Sequence, residues 1–363
     1  MMDKQVLPQE LIARVNEVFR IYEITYSPEE DRVYIFGDPL VDQITAYQRL
    51  WRYFSRYGYQ ITLTHRLGEN LIIVSRAAYS TGGSSLNILL AIATFFSTMF
   101  MGSTMFGVNP FQNPLDIFQG LPFTIAIMTV LGAHEFGHYI VSKKRGVQTS
   151  LPYFIPFPSV IGTLGAVIKQ RSPIPDRKTL FDVGIAGPLL GIAASIIVTA
   201  IGLSLPPIAI PREDAQYIEI GTPLLFEAIA SISNVKLSEQ TIMHPVAFAG
   251  WVGMIVTVFN LLPVGQLDGG HIMRSILGRK FKYLSIAVPF LLMVFGIYVL
   301  YWMNANGFIW IFWGFFTSLF ASAEHPPPLD DTAKLDNKRL FLAVLILILG
   351  ALCFTPAPFG SIP

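Results

Sequence analysis

The chain has 363 residues, 52% hydrophobic and only 13% charged, with a mean hydropathy of +0.53. A soluble chain usually carries about 25% charged residues, so the composition excludes an ordinary soluble globular protein and points to a multi-pass α-helical membrane protein. The formal net charge of +1 gives no case for nucleic acid as a partner, and the single Cys353 allows no internal disulfide.

Residues 1–80 read as a soluble cytoplasmic α+β domain, polar and mixed, with no signal-peptide pattern. Leu11, Ile12, Val15, Val18 and Phe19 recur at helical spacing after Pro8. Strands are predicted over 20–26 and 32–36, split by the turn Ser27-Pro28-Glu29-Glu30-Asp31. Asp38 is read as the cap of a second helix with Pro39 at its first position, running to about residue 57. Two more strands, 60–67 and 70–76, flank Gly68-Glu69. The order αββαββ suggests a mostly antiparallel sheet covered by helices. Ser80-Thr81-Gly82-Gly83-Ser84-Ser85 reads as a linker, and 81–119 as linker plus first span.

Apolar segments near 86–106, 120–141, 181–205, 245–266, 283–303, 307–322 and 340–356 are candidate spans. The sixth is short and aromatic-rich, so the expectation is six or seven spans. Basic residues set the orientation. With residues 1–80 in the cytoplasm, connections on that side carry Lys143, Lys144, Arg145, Lys169, Arg171, Arg177, Lys178, Arg274, Arg279, Lys280, Lys282, Lys334, Lys338 and Arg339. The opposite side carries only Arg212 and Lys236. This asymmetry favours an odd number of spans and turns the C-terminal end of the second segment toward the cytoplasm; a cell membrane is the expected location.

The second apolar segment ends in His134-Glu135-Phe136-Gly137-His138. On a helix, H-E-x-x-H places two histidines one turn apart on one face, a zinc-site pattern in which the Glu can serve as general base. The preceding residues, 121–133, are almost all apolar, which suggests hydrolysis inside or beside a bilayer. A catalytic zinc site usually has three protein ligands and a water. Asp268 closes the fourth candidate span, which also descends to the cytoplasmic side, and a carboxylate at a membrane boundary is costly unless paired or ligated. The competing reading is a solvated Asp beside the Gly269-Gly270 turn.

Residues 151–171 are apolar but broken by Pro152, Pro156, Pro158, Gly162 and Gly165, which suits a re-entrant loop or β-hairpin. Its edge, including Gly162, Thr163, Leu164 and Gly165, is expected to bind an extended substrate by strand addition. An ordinary interfacial loop is the alternative. Asn260 is expected to orient the substrate or stabilise the oxyanion, with an interhelical hydrogen bond as its alternative. His271 suits support of the ligands or a solvated loop, and His65 and His244 read as structural. Gly184, Gly187 and Gly191 allow close helix approach.

At these residues the chain resembles the site-2 protease family of intramembrane zinc metalloproteases, peptidase family M50. His134-Glu135-Phe136-Gly137-His138 fits that family's first motif. Asn260, Pro263, Asp268 and Gly269 fit its second, and Phe181-Asp182-Val183-Gly184-Ile185-Ala186-Gly187-Pro188-Leu189-Leu190-Gly191 looks like its third-core-helix signature. The resemblance covers about 121–271, within a protease core placed at 120–272 and followed by C-terminal spans over 273–363. The N-terminal domain, Gly162-Thr163-Leu164-Gly165-Ala166 and the Pro-rich loop at 325–331 resemble the archaeal and plastid branch, while the PDZ-like insertion of the bacterial branch is not seen.

The resemblance implies one Zn2+ per chain held by His134, His138 and Asp268, with Glu135 as the base that deprotonates the attacking water. It implies a single-span or membrane-anchored protein substrate within the lipid bilayer. His325 lies in the family-like loop and is a candidate for support of the ligands or a plain linker residue. Two rivals stand beside this reading. A peptidase of the type that trims prenylated proteins would draw a later Glu ligand, but Glu213, Glu219, Glu227 and Glu239 fall in the external loop. A metal transporter or scaffold has no need of the base Glu135.

Overall fold

The computed structural model describes residues 7–66, 68–76, 84–206, 219–235, 242–321, 328, 331 and 334–360. His325 and most of the linker and Pro-rich loop expected around 80–85 and 325–331 lie outside the described residues.

The N-terminal domain runs α1 (Gln9–Asn16), β1 (Phe19–Ser27), β2 (Arg32–Pro39), α2 (Gln43–Arg56), β3 (Tyr59–Arg66) and β4 (Glu69–Arg76). Its sheet has the order β1-β2-β4-β3, and every pairing is antiparallel. Leu11 and Val15, one turn apart on α1, pack with Leu50, Trp51 and Phe54 of α2 over Ile35, Ile61, Ile72 and Val74 of the sheet. The second helix does not begin at Asp38-Pro39. Those residues still pair with Arg20 and Phe19 of β1, so their backbone belongs to the sheet. The cap is Asp42, whose carboxylate accepts from the Thr45 N–H at 3.0 Å and the Thr45 hydroxyl at 2.6 Å.

The remainder is helical: α3 (Ser85–Met105), α4 (Leu121–Arg145), α5 (Arg177–Ser204), α6 (Leu224–Ile232), α7 (Pro245–Asn260), α8 (Asp268–Leu277), α9 (Phe281–Trp302), α10 (Phe308–Ala321) and α11 (Asn337–Leu352). Among the described residues, four helical stretches are long and apolar enough to cross a bilayer: Ser85–Met105, Pro114–Arg145, Arg177–Ser204 and Asp268–Trp302. At 1.5 Å per residue, the 16 residues of α7 cover about 24 Å, short of a hydrocarbon core of about 30 Å.

The fourth predicted span, 245–266, thus ends early. Pro263 offers no N–H to continue the helix, and Gly265 takes a φ of +49° that reverses the chain. Asp268 consequently opens a new helix rather than closing the old one.

Polar contacts gather the basic ends of several helices. Arg145, at the end of α4, pairs with Asp182 near the start of α5. Arg339 of α11 donates to the same carboxylate at 2.7 and 2.8 Å. Arg177, at the start of α5, donates to the Ser275 and Ile276 carbonyls at the end of α8 at 2.8 and 2.7 Å. Gln148, just beyond α4, donates to the Ser55 carbonyl at 2.7 Å, joining the N-terminal domain to this end. At the other end, the Trp251 indole near the start of α7 donates to Gly221, and Trp310 of α10 donates to Pro356. The buried core of the bundle, including Phe123, Ile127, Phe181, Ile192, Trp251 and Met254, lies where α4, α5 and α7 meet.

The Pro- and Gly-broken stretch forms a two-stranded antiparallel hairpin, β5 (Tyr153–Pro156) with β6 (Thr163–Val167). It is fastened to α3. The Asn87 side chain donates to the Leu151 and Pro152 carbonyls at 2.8 and 3.0 Å, and the Ser97 hydroxyl donates to the Gly162 carbonyl at 2.6 Å. Gly162 has a φ of +76°, and a Cβ there would lie 2.6 Å from the Ser97 carbonyl oxygen.

Candidate metal centre

His134 and His138 sit one turn apart on the inner face of α4 and are buried, as is Glu135 between them. Asp268, the first residue of α8, meets them from the other side of the bundle. His134 Nε2 lies 3.0 Å from Asp268 Oδ2, His138 Nε2 lies 3.2 Å from Asp268 Oδ1, and the two Nε2 atoms are 3.3 Å apart. Ligands at about 2.0 Å from a tetrahedral zinc are separated by about 3.3 Å. Three donors with those separations, two imidazoles and a carboxylate, therefore fit a zinc ion. Among the described residues this is the group of His, Cys, Asp and Glu side chains that suits a metal, its donor atoms all within 4.8 Å of one another.

The neighbours of the donors set their orientation. His138 Nδ1 lies 2.8 Å from the Val183 carbonyl, which can only accept, so Nδ1 carries the proton and Nε2 is left for a metal. Asn260, the last residue of α7, places its Nδ2 3.2 Å from His134 Nε2, at the edge of the donor triangle. The Ile168 backbone amide, immediately beyond β6, lies near the Glu135 carboxylate.

Three glycines of α5 each face a particular site residue. A Cβ at Gly187 would overlap the His138 ring, one at Gly191 would lie 2.8 Å from His134 Nδ1, and one at Gly184 would lie 2.7 Å from His271 Cβ. Gly137 on α4 faces the Ala186 backbone in return. Close approach of α4, α5 and α8 thus depends on the missing side chains.

The other candidates divide. His271 is one turn along α8 from Asp268, with Nδ1 3.0 Å from the Leu267 carbonyl and its Cβ against Gly184; it is not part of the donor group. Thr163 is buried, and its hydroxyl donates across the hairpin to the Ile155 carbonyl at 2.8 Å. Gly162 is committed to α3. Leu164 is exposed, and a Cβ at Gly165 would meet nothing within 4 Å. The end of β6, rather than its Gly162–Thr163 start, approaches the base. His65 bonds Asn70 across β3 and β4 at 2.9 Å, and His244 caps α7 through the Val246 N–H at 3.2 Å. Sequence reasoning missed the Val183 carbonyl and the Ile168 amide. Backbone groups carry no residue signature, although the small residues around Val183 mark where a carbonyl is approachable.

A helix-borne histidine pair and a carboxylate from a second helix, set within an apolar bundle, define a metallopeptidase-type centre of a membrane protein. Residues 122–300 match peptidase family M50. Relatives include the "probable zinc metalloprotease EGY1, chloroplastic" of Arabidopsis thaliana, 31% identical over 65% of this chain and 43% of that protein. EGY2 of the same plant, also named a probable zinc metalloprotease, is 29% identical over 70% of this chain and 45% of its own length. EGY3, named a probable zinc metallopeptidase, is 25% identical over 64% and 42%. The chain thus spans less than half the length of these curated relatives. No solved structure matches. The region 122–300, which carries the site, is of peptidase family M50, the site-2 protease family, and its relatives are plastid proteins by name.

Proposed function

We propose that the chain is an intramembrane zinc metalloendopeptidase that hydrolyses a peptide bond in or near the transmembrane segment of a membrane-anchored protein. The observation that carries this reading is the convergence of His134, His138 and Asp268 on one point beside Glu135. When bound there, zinc supplies Lewis acidity toward the scissile carbonyl and favours deprotonation of water near neutral pH. Glu135 takes the proton of the attacking water as its oxygen bonds the carbonyl carbon, and gives a proton to the nitrogen as the C–N bond breaks. On this reading Asn260, whose Nδ2 lies 3.2 Å from His134 Nε2, donates to the carbonyl oxygen as it gains charge. The Val183 carbonyl holds His138 in the tautomer and orientation the site needs.

A peptide bond inside a helix is shielded, so the substrate must be extended at the site. The reading assigns this to the hairpin. Asn87 and Ser97 anchor it to α3, and the far end of β6 lies toward Glu135 of α4. A substrate segment added along that edge gains main-chain hydrogen bonds beside the base.

Alternation of helix direction between the basic end and the Trp251–Trp310 end supports an odd number of crossings, with α7, α10 and α11 as short spans. The basic residues gathered at one end support an orientation with the N-terminal domain and the site opening toward the cytoplasm of a cell membrane; the curated relatives are chloroplastic by name.

Bound zinc tests the ligand assignment. The purified parent is expected to hold one zinc per chain, and Asp268→Asn and His134→Ala to lose it. Full zinc occupancy in either variant would remove that residue from the ligand set.

A further inference from the structure

At the basic end of the bundle, α4 and α5 line an open surface groove of about 470 Å³ that the proposed chemistry leaves unused. Its rim carries Lys144 and Arg145 from α4, with Asp182 from α5; its wall is formed by Val141, Ile185, Ala186 and Leu189. The chemistry of the lining changes along the helix axes. α4 runs toward the basic end, from Val141 to Lys144 and Arg145. α5 runs away from it, from Asp182 through Ile185 to Leu189. Polar groups therefore share one level, and the apolar wall extends inward from them. At 1.5 Å per residue, Leu189 lies about 10 Å deeper than Asp182.

The charge balance at the rim is positive. Asp182 is matched twice, by Arg145 and by the two-point contact from Arg339, which also pairs with Asp336. Lys144 is exposed at the mouth. Among the described residues of this cluster, Lys144, Arg145 and Arg339 stand against Asp182 and Asp336. A basic rim over an apolar wall that runs along the helix axes complements an amphiphile with an anionic head. The volume equals about four residues of a helix 10 Å across, too little to seat a transmembrane segment and enough for one acyl chain.

We propose that this groove binds an anionic phospholipid, its phosphate against Lys144 and Arg145 and one acyl chain along Val141, Ile185 and Leu189. The site adjoins the metal centre, since Ala186 packs on Gly137 and the next residue, Gly187, faces His138. A bound lipid thus fills the α4–α5 seam where it leaves the donors.

Native mass spectrometry of the full chain in micelles containing equal phosphatidylglycerol and phosphatidylcholine tests this. The parent should retain phosphatidylglycerol in preference to phosphatidylcholine. Lys144→Ala should lower retained phosphatidylglycerol about fivefold, the effect of one basic residue at an anionic lipid surface; Lys144→Arg should restore it. Leu189→Trp, which fills the wall without altering charge, should displace the lipid. Lys280→Ala, a basic residue on the same face outside the groove, should change nothing. Equal retention of the two lipids, equal effects of Lys144→Ala and Lys280→Ala, or retention unaltered by Leu189→Trp would overturn the proposal. Undiminished lipid retention in Leu189→Trp with loss of crosslinking to a single-span substrate would give the groove to the substrate instead.

Discussion

Gly187 shows how the centre depends on what is missing from a side chain. With hydrogen in place of a methyl group, α5 comes close enough to α4 for the Val183 carbonyl to reach His138 Nδ1 at 2.8 Å. A Cβ at Gly187 would overlap the His138 ring, so the ring must turn away from the donor group or the helices must part. Gly187→Ala is therefore expected to weaken zinc binding by at least about tenfold, the usual scale for disturbing the outer support of a metal ligand. Competition with a chelator measures it. Unchanged affinity would mean that the seam relaxes without moving His138.

The donor residues were legible in the sequence because ionisable groups are rare in apolar segments and expensive to leave unpaired there. His134, Glu135 and His138 declared themselves by spacing, and Asp268 by its placement where the fourth apolar segment descends to the level of the histidine pair. The amide of Ile168 had no such signal.

Two elements hold the parts that the residues alone cannot. The hairpin is fixed on its β5 side by α3, leaving the far end of β6 next to Glu135. Proline replacements along 161–168 remove N–H groups from that edge and are expected to cut cleavage sharply while zinc stays bound. Cleavage at the parental rate would rule out strand addition there. The second element is α8, which presents Asp268 from its first turn. Its later turn is clamped by Arg177 and by buried Arg274, which donates two hydrogen bonds to Asp331 at 2.8 and 3.0 Å. Breaking one side of such a pair leaves a buried charge unmatched and costs about 3 kcal/mol. Asp331→Ala should lower the midpoint of thermal unfolding, and Arg274→Met combined with Asp331→Leu should recover part of the loss. An unchanged midpoint in Asp331→Ala would show that α8 is held elsewhere.

Element boundaries were less legible than element types. An apolar window of 245–266 runs through Pro263 and Gly265 because hydropathy averages over both, yet these two residues end α7 and allow α8 to start at Asp268. Asp38 and Asp42 both offer a cap four residues apart, and only pairing with β1 decides against the first. The local reading took Asp38, and the tertiary ladder leaves the cap to Asp42.

Across the whole molecule, the N-terminal domain, the basic helix ends, the hairpin attachment and the metal centre are linked at one end of the bundle. Arg145, Arg177 and Arg339 are thus structural ties as well as topological signals. This places the candidate metal centre within an apolar bundle, near its basic end. Composition made the membrane class legible at once. The number of crossings was not, because α7, α10 and α11 are each shorter than a full hydrocarbon thickness and their status depends on packing rather than length.

The most direct test of the account is cleavage of a single-span protein substrate by the zinc-loaded parent and by zinc-loaded Glu135→Gln, both reconstituted in lipid bilayers. Loss of the base should slow hydrolysis by about 10²–10⁴-fold with bound zinc unchanged. Cleavage by Glu135→Gln at the parental rate, with its zinc in place, would contradict the mechanism.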